Sequence, residues 1–140
     1  MLSALNQQLP LETQKILFLT VLIALPIIYL VCGILLRFLS YKRMSRFFGY
    51  RTPQAYHSKE TWKFSNKLSG MLFLITGIIF VIVFPLLMII FWNDYNILMV
   101  VFTIAIIVEV LTIILILIVV EILLYKMITK LEEKNKTKSL

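Results

Sequence analysis

The sequence contains one cysteine and one histidine among 140 residues. A single cysteine excludes a disulfide within the chain, and one residue of each kind is too few for a closed zinc site. Charge is also scarce, at 15% of residues against about 25% in an ordinary soluble domain. The sequence carries no Ser/His/Asp set, no ligand cluster and no glycine-rich phosphate loop. Catalysis, metal binding and cofactor binding are therefore not expected.

What abounds is apolar. Hydrophobic residues make up 61% of the chain, and mean hydropathy is +0.96. A water-soluble globule and a disordered chain are both excluded, and the length suits one membrane domain over residues 1–140. Three stretches can cross a bilayer: residues 16–36, 71–92 and 97–120. As helices they are roughly 31 to 36 Å long, against a hydrocarbon core of about 30 Å. They are apolar all round, so the alternation of a β-barrel is missing. The expected fold is all-α, a bundle of three transmembrane helices. The first apolar run is longer than a signal-peptide core and lacks a basic leader, so it reads as a retained helix. Pro26 and Pro85 each remove a backbone donor within a span and should kink it.

The net charge of +7 is unevenly placed. Arg37, Lys42, Arg43, Arg46, Arg51, Lys59, Lys63 and Lys67 stand against Glu60 alone in the first connection. The tail from Lys126 holds five lysines against Glu132 and Glu133. With three crossings these two segments share a side, and the positive side is cytoplasmic. The expectation is a multi-pass protein of the cell membrane with its N-terminus outside. Loop 37–70 and tail 126–140 would lie inside, and the basic excess would face anionic lipid rather than nucleic acid. Asn93 to Asn96 reads as the outer turn, with Trp92 and Tyr95 as interfacial aromatics. The tail should begin as a helical extension and then fray.

The informative text is Gly49 to Gly70. Pro53 fixes its own φ and pushes Thr52 out of the helical region, so Gly49 to Pro53 reads as a turn. Ser58 is a good N-cap, with Glu60 in the first turn, and nothing breaks a helix from Lys59 before Gly70. On that helix Trp62, Asn66, Ser69 and Gly70 share a face, which Gly77 continues. It is a packing face whose small residues let another backbone approach. Lys59, Lys63 and Lys67 share a different face, toward headgroups or water. The fork of Arg51 could hold a carboxylate, a carbonyl cluster or a lipid phosphate, and Glu60 is the only acid within reach in sequence. His57 reads as a solvated loop residue and Cys32 as apolar filler.

At nine fixed positions — Gly49, Arg51, Thr52, Pro53, Ser58, Glu60, Trp62, Asn66 and Gly70 — this segment resembles the SdpI family of membrane proteins. That family is named after the immunity protein against a secreted sporulation-delaying peptide toxin. The resemblance implies a multi-spanning protein with this loop inside the cell and a role in immunity to an antimicrobial peptide. Longer relatives have more spans and couple immunity to transcriptional signalling, whereas this chain has one copy of the motif.

Glu109 lies midway along the third span. A central acid costs about 2.5–3.5 kcal/mol on insertion. The Ile, Leu, Val and Phe residues of that span together contribute roughly −6 to −11 kcal/mol, so the segment still inserts. Ala105, Glu109 and Thr112 form a small, polar stripe, read as an ion or proton site or as an interhelical hydrogen bond. Glu121 reads as a boundary acid paired with Lys126 or a headgroup. The expected function is stoichiometric protection by binding or blocking a toxin peptide in the bilayer, with membrane lipid and a second copy of the chain as further partners. A small oligomeric channel or transporter, or an accessory subunit of a membrane complex, is the alternative.

Overall fold

A computed structural model describes residues 10–40, 44, 47 and 49–138. Among them every regular element is helical: α1 (Leu11–Leu39), α2 (Lys59–Ile90) and α3 (Tyr95–Lys138). Each is long and apolar enough to cross a membrane, so this is a three-helix membrane protein. Lys42, Arg43 and Arg46 of the basic loop lie outside the described residues.

Helix α1 begins directly after Pro10, with Glu12 in its first turn and Arg37 in its last, both favourable to the helix dipole. It runs unbroken through Pro26, as α2 does through Pro85. Helix α2 starts at Lys59 on a Ser58 cap and ends two residues before the expected span limit at Trp92. The α2–α3 connection is therefore Phe91 to Asp94, earlier than the expected Asn93 to Asn96. The cause is Asp94, whose Oδ1 accepts from the backbone N–H of Asn96 and Ile97 at 3.1 and 3.2 Å. It caps α3, so Tyr95 and Asn96 already belong to the helix. The tail does not fray after Tyr125 but stays helical to Lys138. It contains no glycine or proline, and Lys, Glu, Leu and Met are strong helix formers.

Helices α1 and α2 are in backbone contact. A Cβ at Gly70 would stand 2.8 Å from the Arg37 nitrogen and 2.8 Å from the Gly33 oxygen. A Cβ at Gly33 would stand 2.9 Å from the Gly70 oxygen, and one at Gly77 3.0 Å from Tyr29 Cβ. At Gly33 and Gly70 only glycine permits that approach, and in lipid such close packing replaces the hydrophobic drive that water would supply. Helix α3 lies against this pair through two apolar clusters. One, toward the α2–α3 turn, joins Leu22, Phe84, Met88, Leu98 and Ala105. The other, toward the motif loop, joins Tyr29, Tyr50, Ala55, Ile116, Val120 and Leu124. Glu109 falls between them. In each apolar segment only 22% of the residues are buried by the rest of the chain, which leaves the remainder for lipid.

Candidate functional site

The motif loop is a compact cap on the loop-side end of the bundle. Gly49 has a φ of +118°, a value that side-chain-bearing residues rarely adopt. A Cβ there would also meet the Trp62 ring at 2.5 Å and Asn66 Oδ1 at 2.9 Å. Past Gly49 the Tyr50 N–H donates to Asn66 Oδ1 at 2.8 Å, and Asn66 Nδ2 donates to the Trp62 carbonyl at 2.9 Å. Asn66, wholly buried, thereby fastens the loop to the first turns of α2.

Thr52 and Pro53 open a turn in which Tyr56 N–H donates to the Thr52 carbonyl and Ala55 N–H to Thr52 Oγ1. The turn delivers Ser58. Its Oγ accepts from Thr61 N–H at 3.1 Å, while Ser58 N–H donates to Thr61 Oγ1 at 2.8 Å. This reciprocal pair satisfies two donors that a helix start leaves open. Thr61 Oγ1 also donates back to the Ala55 carbonyl at 3.1 Å, tying turn to helix. Trp62, 1% exposed, packs beneath Tyr56 with ring centroids 5.2 Å apart, and its indole N–H has no partner among the described residues.

Trp62, Asn66, Ser69, Gly70 and Gly77 are all buried, as their shared face requires, and Ser65 joins them. Ser65 Oγ donates to the Trp62 carbonyl and Ser69 Oγ to the Ser65 carbonyl, so both hydroxyls are spent within α2. Lys59, Lys63 and Lys67 are exposed on the other side. The expected Arg51–Glu60 pair is absent: both are exposed, and among the described residues neither joins an ion pair. The turn points Arg51 outward while Glu60 stands on the solvent side of the first turn of α2. His57 is exposed, and Cys32 is half-buried within α1.

The cap reaches α3. Tyr50 O–H donates to the Leu117 carbonyl at 3.1 Å. Gln54, with its amide nitrogen facing α3, donates to Glu121 at its backbone oxygen and Oε2, 3.3 and 3.1 Å away. Burial first, and then the adjacent Glu121 carboxylate, push the Tyr50 phenol well above its usual range. Glu121 therefore faces the motif loop, and among the described residues it forms no ion pair with Lys126. Sequence spacing missed this because Gln54 and Glu121 are 67 positions apart.

Mid-span, Glu109 is 2% exposed and faces the bundle interior. Tyr29 O–H donates to the Glu109 backbone carbonyl, joining α1 to α3. The Tyr29 ring lies between Phe73 and Phe80 of α2, with centroids 5.4 and 5.8 Å away. Both Glu109 carboxyl oxygens are buried, with no hydrogen-bond partner among the described residues. Thr112, three residues on, is half-buried, and its hydroxyl donates to the Val108 carbonyl; the fully buried line of α3 continues through Ile116 and Val120. Helix α3 buries only a narrow seam, and Thr112 falls at its edge. At the opposite end Lys15 is buried, paired with Glu12 at 3.0 Å, its ammonium 5.5 Å from the centroid of the Trp92 ring. Tyr95 O–H donates to Gln14 Oε1 beside it.

The sequence model of the SdpI/YfhL protein family matches residues 42–128, which takes in the motif cap, α2 and α3 as far as Ile128. The chain belongs to the SdpI/YfhL family. No curated protein and no solved structure matches it. Membership identifies it in general terms as a membrane immunity-type protein. The family match begins after α1, yet α1 supplies Gly33 and Tyr29, the residues that seat α2 and α3.

Proposed function

We propose that this protein protects a cell from a secreted antimicrobial peptide by binding or blocking it within the bilayer, one protein per peptide and without turnover. The observation that carries the reading is the SdpI/YfhL match over the motif cap. Within the cap, Gly49, Ser58, Trp62, Asn66 and Gly70 are accounted for by folding alone. Arg51 and Glu60 are not: they are exposed and join no ion pair among the described residues, which leaves them for a partner or a lipid headgroup. The broad apolar flanks of the three helices offer the peptide a membrane-embedded surface. Loop 37–70 and tail 126–140 lie on the cytoplasmic side in this reading, and the N-terminus and the Phe91–Asp94 turn lie outside, on the strength of the basic excess.

The test is survival under peptide challenge. Cells making the chain should outlive cells that lack it. Arg51→Ala and Glu60→Ala should lose protection at unchanged membrane abundance. Ion conductance in liposomes without any protection of cells would overturn the proposal in favour of a channel. Orientation is checked separately with His57→Cys in a Cys32→Ser background. A membrane-impermeant maleimide should label it only after the cells are opened, and efficient labelling of intact cells would reverse the topology.

A further inference from the structure

Among the described residues, Glu109 is a buried acid without a counter-ion. The three apolar segments, residues 16–36, 71–92 and 97–120, contain no Lys, Arg or His. The ionisable group facing it from α1 is Tyr29, whose hydroxyl is engaged with the Glu109 backbone carbonyl. Helix α2 presents no ionisable side chain at this level, since Met71 to Trp92 holds none. Along α3 the next charges are Asp94 and Glu121, both acidic. The basic residue nearest to this level on α1 is Arg37, eight positions beyond Tyr29, or about 12 Å along the axis. It is exposed at the helix end. An ionised carboxylate here would be buried, unpaired and surrounded by hydrocarbon, the most costly state such a group can occupy.

We infer that Glu109 is a proton-binding site in the middle of the membrane, held as a neutral carboxylic acid at the joint between α1 and α3. A metal ion does not fit the position. Hard cations need several oxygen ligands, and among the described residues the oxygen brought in from a neighbouring helix is the Tyr29 hydroxyl, already engaged. A single proton removes the charge and leaves one O–H and one acceptor oxygen. That combination matches a backbone amide unit or a second carboxylic acid, should α3 swing away from α1 and uncover it. The joint there is thin: the Tyr29 hydroxyl, the Phe18–Phe102 stack and the Tyr95–Gln14 contact link the two helices.

The inference does not depend on peptide protection and is tested without it. The full chain in native membranes is treated at neutral pH with N,N'-dicyclohexylcarbodiimide, an apolar reagent that attacks protonated carboxyls. The acid proton passes to one carbodiimide nitrogen and the carboxyl oxygen bonds the central carbon. The O-acylisourea then rearranges to a stable N-acylurea, and no atom is lost. Peptide mass analysis should find the adduct at Glu109, about tenfold or more above that at the water-facing Glu12, Asp94 and Glu132. Glu109→Gln should remove it, and added sodium or potassium should not protect. Protection by either cation, or faster labelling by a water-soluble carbodiimide, would overturn the assignment. Infrared spectroscopy reads the same proton without a reagent. A carboxylic-acid carbonyl band at neutral pH should be present in the native chain and missing from Glu109→Gln, and its absence from the native chain would overturn the assignment whatever the labelling shows.

Discussion

Where α1 meets α2, backbone lies on backbone: Gly33 and Gly70 leave no room for a Cβ against the opposite main chain, and Gly77 lies close against Tyr29 and Leu30. Where α3 meets that pair, polar and aromatic side chains reach across. Tyr29 bonds to the carbonyl of Glu109, Tyr50 to that of Leu117, and Gln54 to Glu121. In lipid, burying apolar surface does not draw helices together, so they associate by close van der Waals contact or by interhelical hydrogen bonds. The α1–α2 joint relies on the first, whereas the α3 joint adds the second to its two apolar clusters. The glycine seam tolerates no added atoms, whereas the tethered helix should tolerate the loss of any one tether.

The sharpest way to break the comparison is Gly70→Leu. Overpacking typically costs 1–3 kcal/mol and occasionally more, and here the obstructing atoms are backbone, so about 3 kcal/mol or above is expected. Folded protein in the membrane should fall steeply. Lys63→Leu, on the exposed face of the same helix, should stay within about 0.5 kcal/mol. Equal losses from the two variants would show that the seam is not where the structure places it.

Gly49→Val comes next. It combines a disfavoured φ with a clash on the Trp62 ring, and strain of that kind costs on the order of 1–3 kcal/mol. The damage should be confined to the cap, read as faster proteolysis between residues 50 and 58 with α2 and α3 still inserted. Global loss of the protein would mean that the cap nucleates the bundle rather than decorating it.

Tyr50→Phe should be the mildest. Interhelical hydrogen bonds in membranes average about 0.6 kcal/mol, so melting in detergent should shift only slightly. Adding Tyr29→Phe should roughly double that shift, the two sites being independent tethers. A double variant far worse than the sum would show that α3 is held cooperatively, and the contrast between the joints would narrow.

The local features were legible in the sequence. Ser58 as a cap, the α2 start at Lys59 and the buried Trp62–Asn66–Ser69–Gly70 face follow from spacing of three, four and seven, which a single helix dictates. The segment from Gly49 to Gly70 also carried the family resemblance. The contacts between helices were not legible. Gly33, the Tyr29–Glu109 bond and the Gln54–Glu121 contact depend on how each helix is rotated against another, and a helix that is apolar all round has no pattern to announce its face. Thr112 is half-buried next to Glu109 on α3, with its hydroxyl turned back onto the Val108 carbonyl. The burial of Lys15 beside Trp92 was not legible either, because nothing in its neighbourhood shows that Trp92 will lie there.

Helix α3 is longer than any membrane requires. Its 44 residues extend about 66 Å, roughly twice the hydrocarbon thickness. From Val120, where the apolar span ends, to Lys138 is about 27 Å of rigid rod. The electric field of a lipid surface fades over about 8 Å at physiological ionic strength. If the rod stands near upright, its last several turns therefore lie beyond the reach of that field. In that pose Lys130 and Lys134, about 15 and 21 Å along the rod from Val120, stand progressively farther from the bilayer, and anything that touches the end of the rod meets the protein at a distance from the lipid.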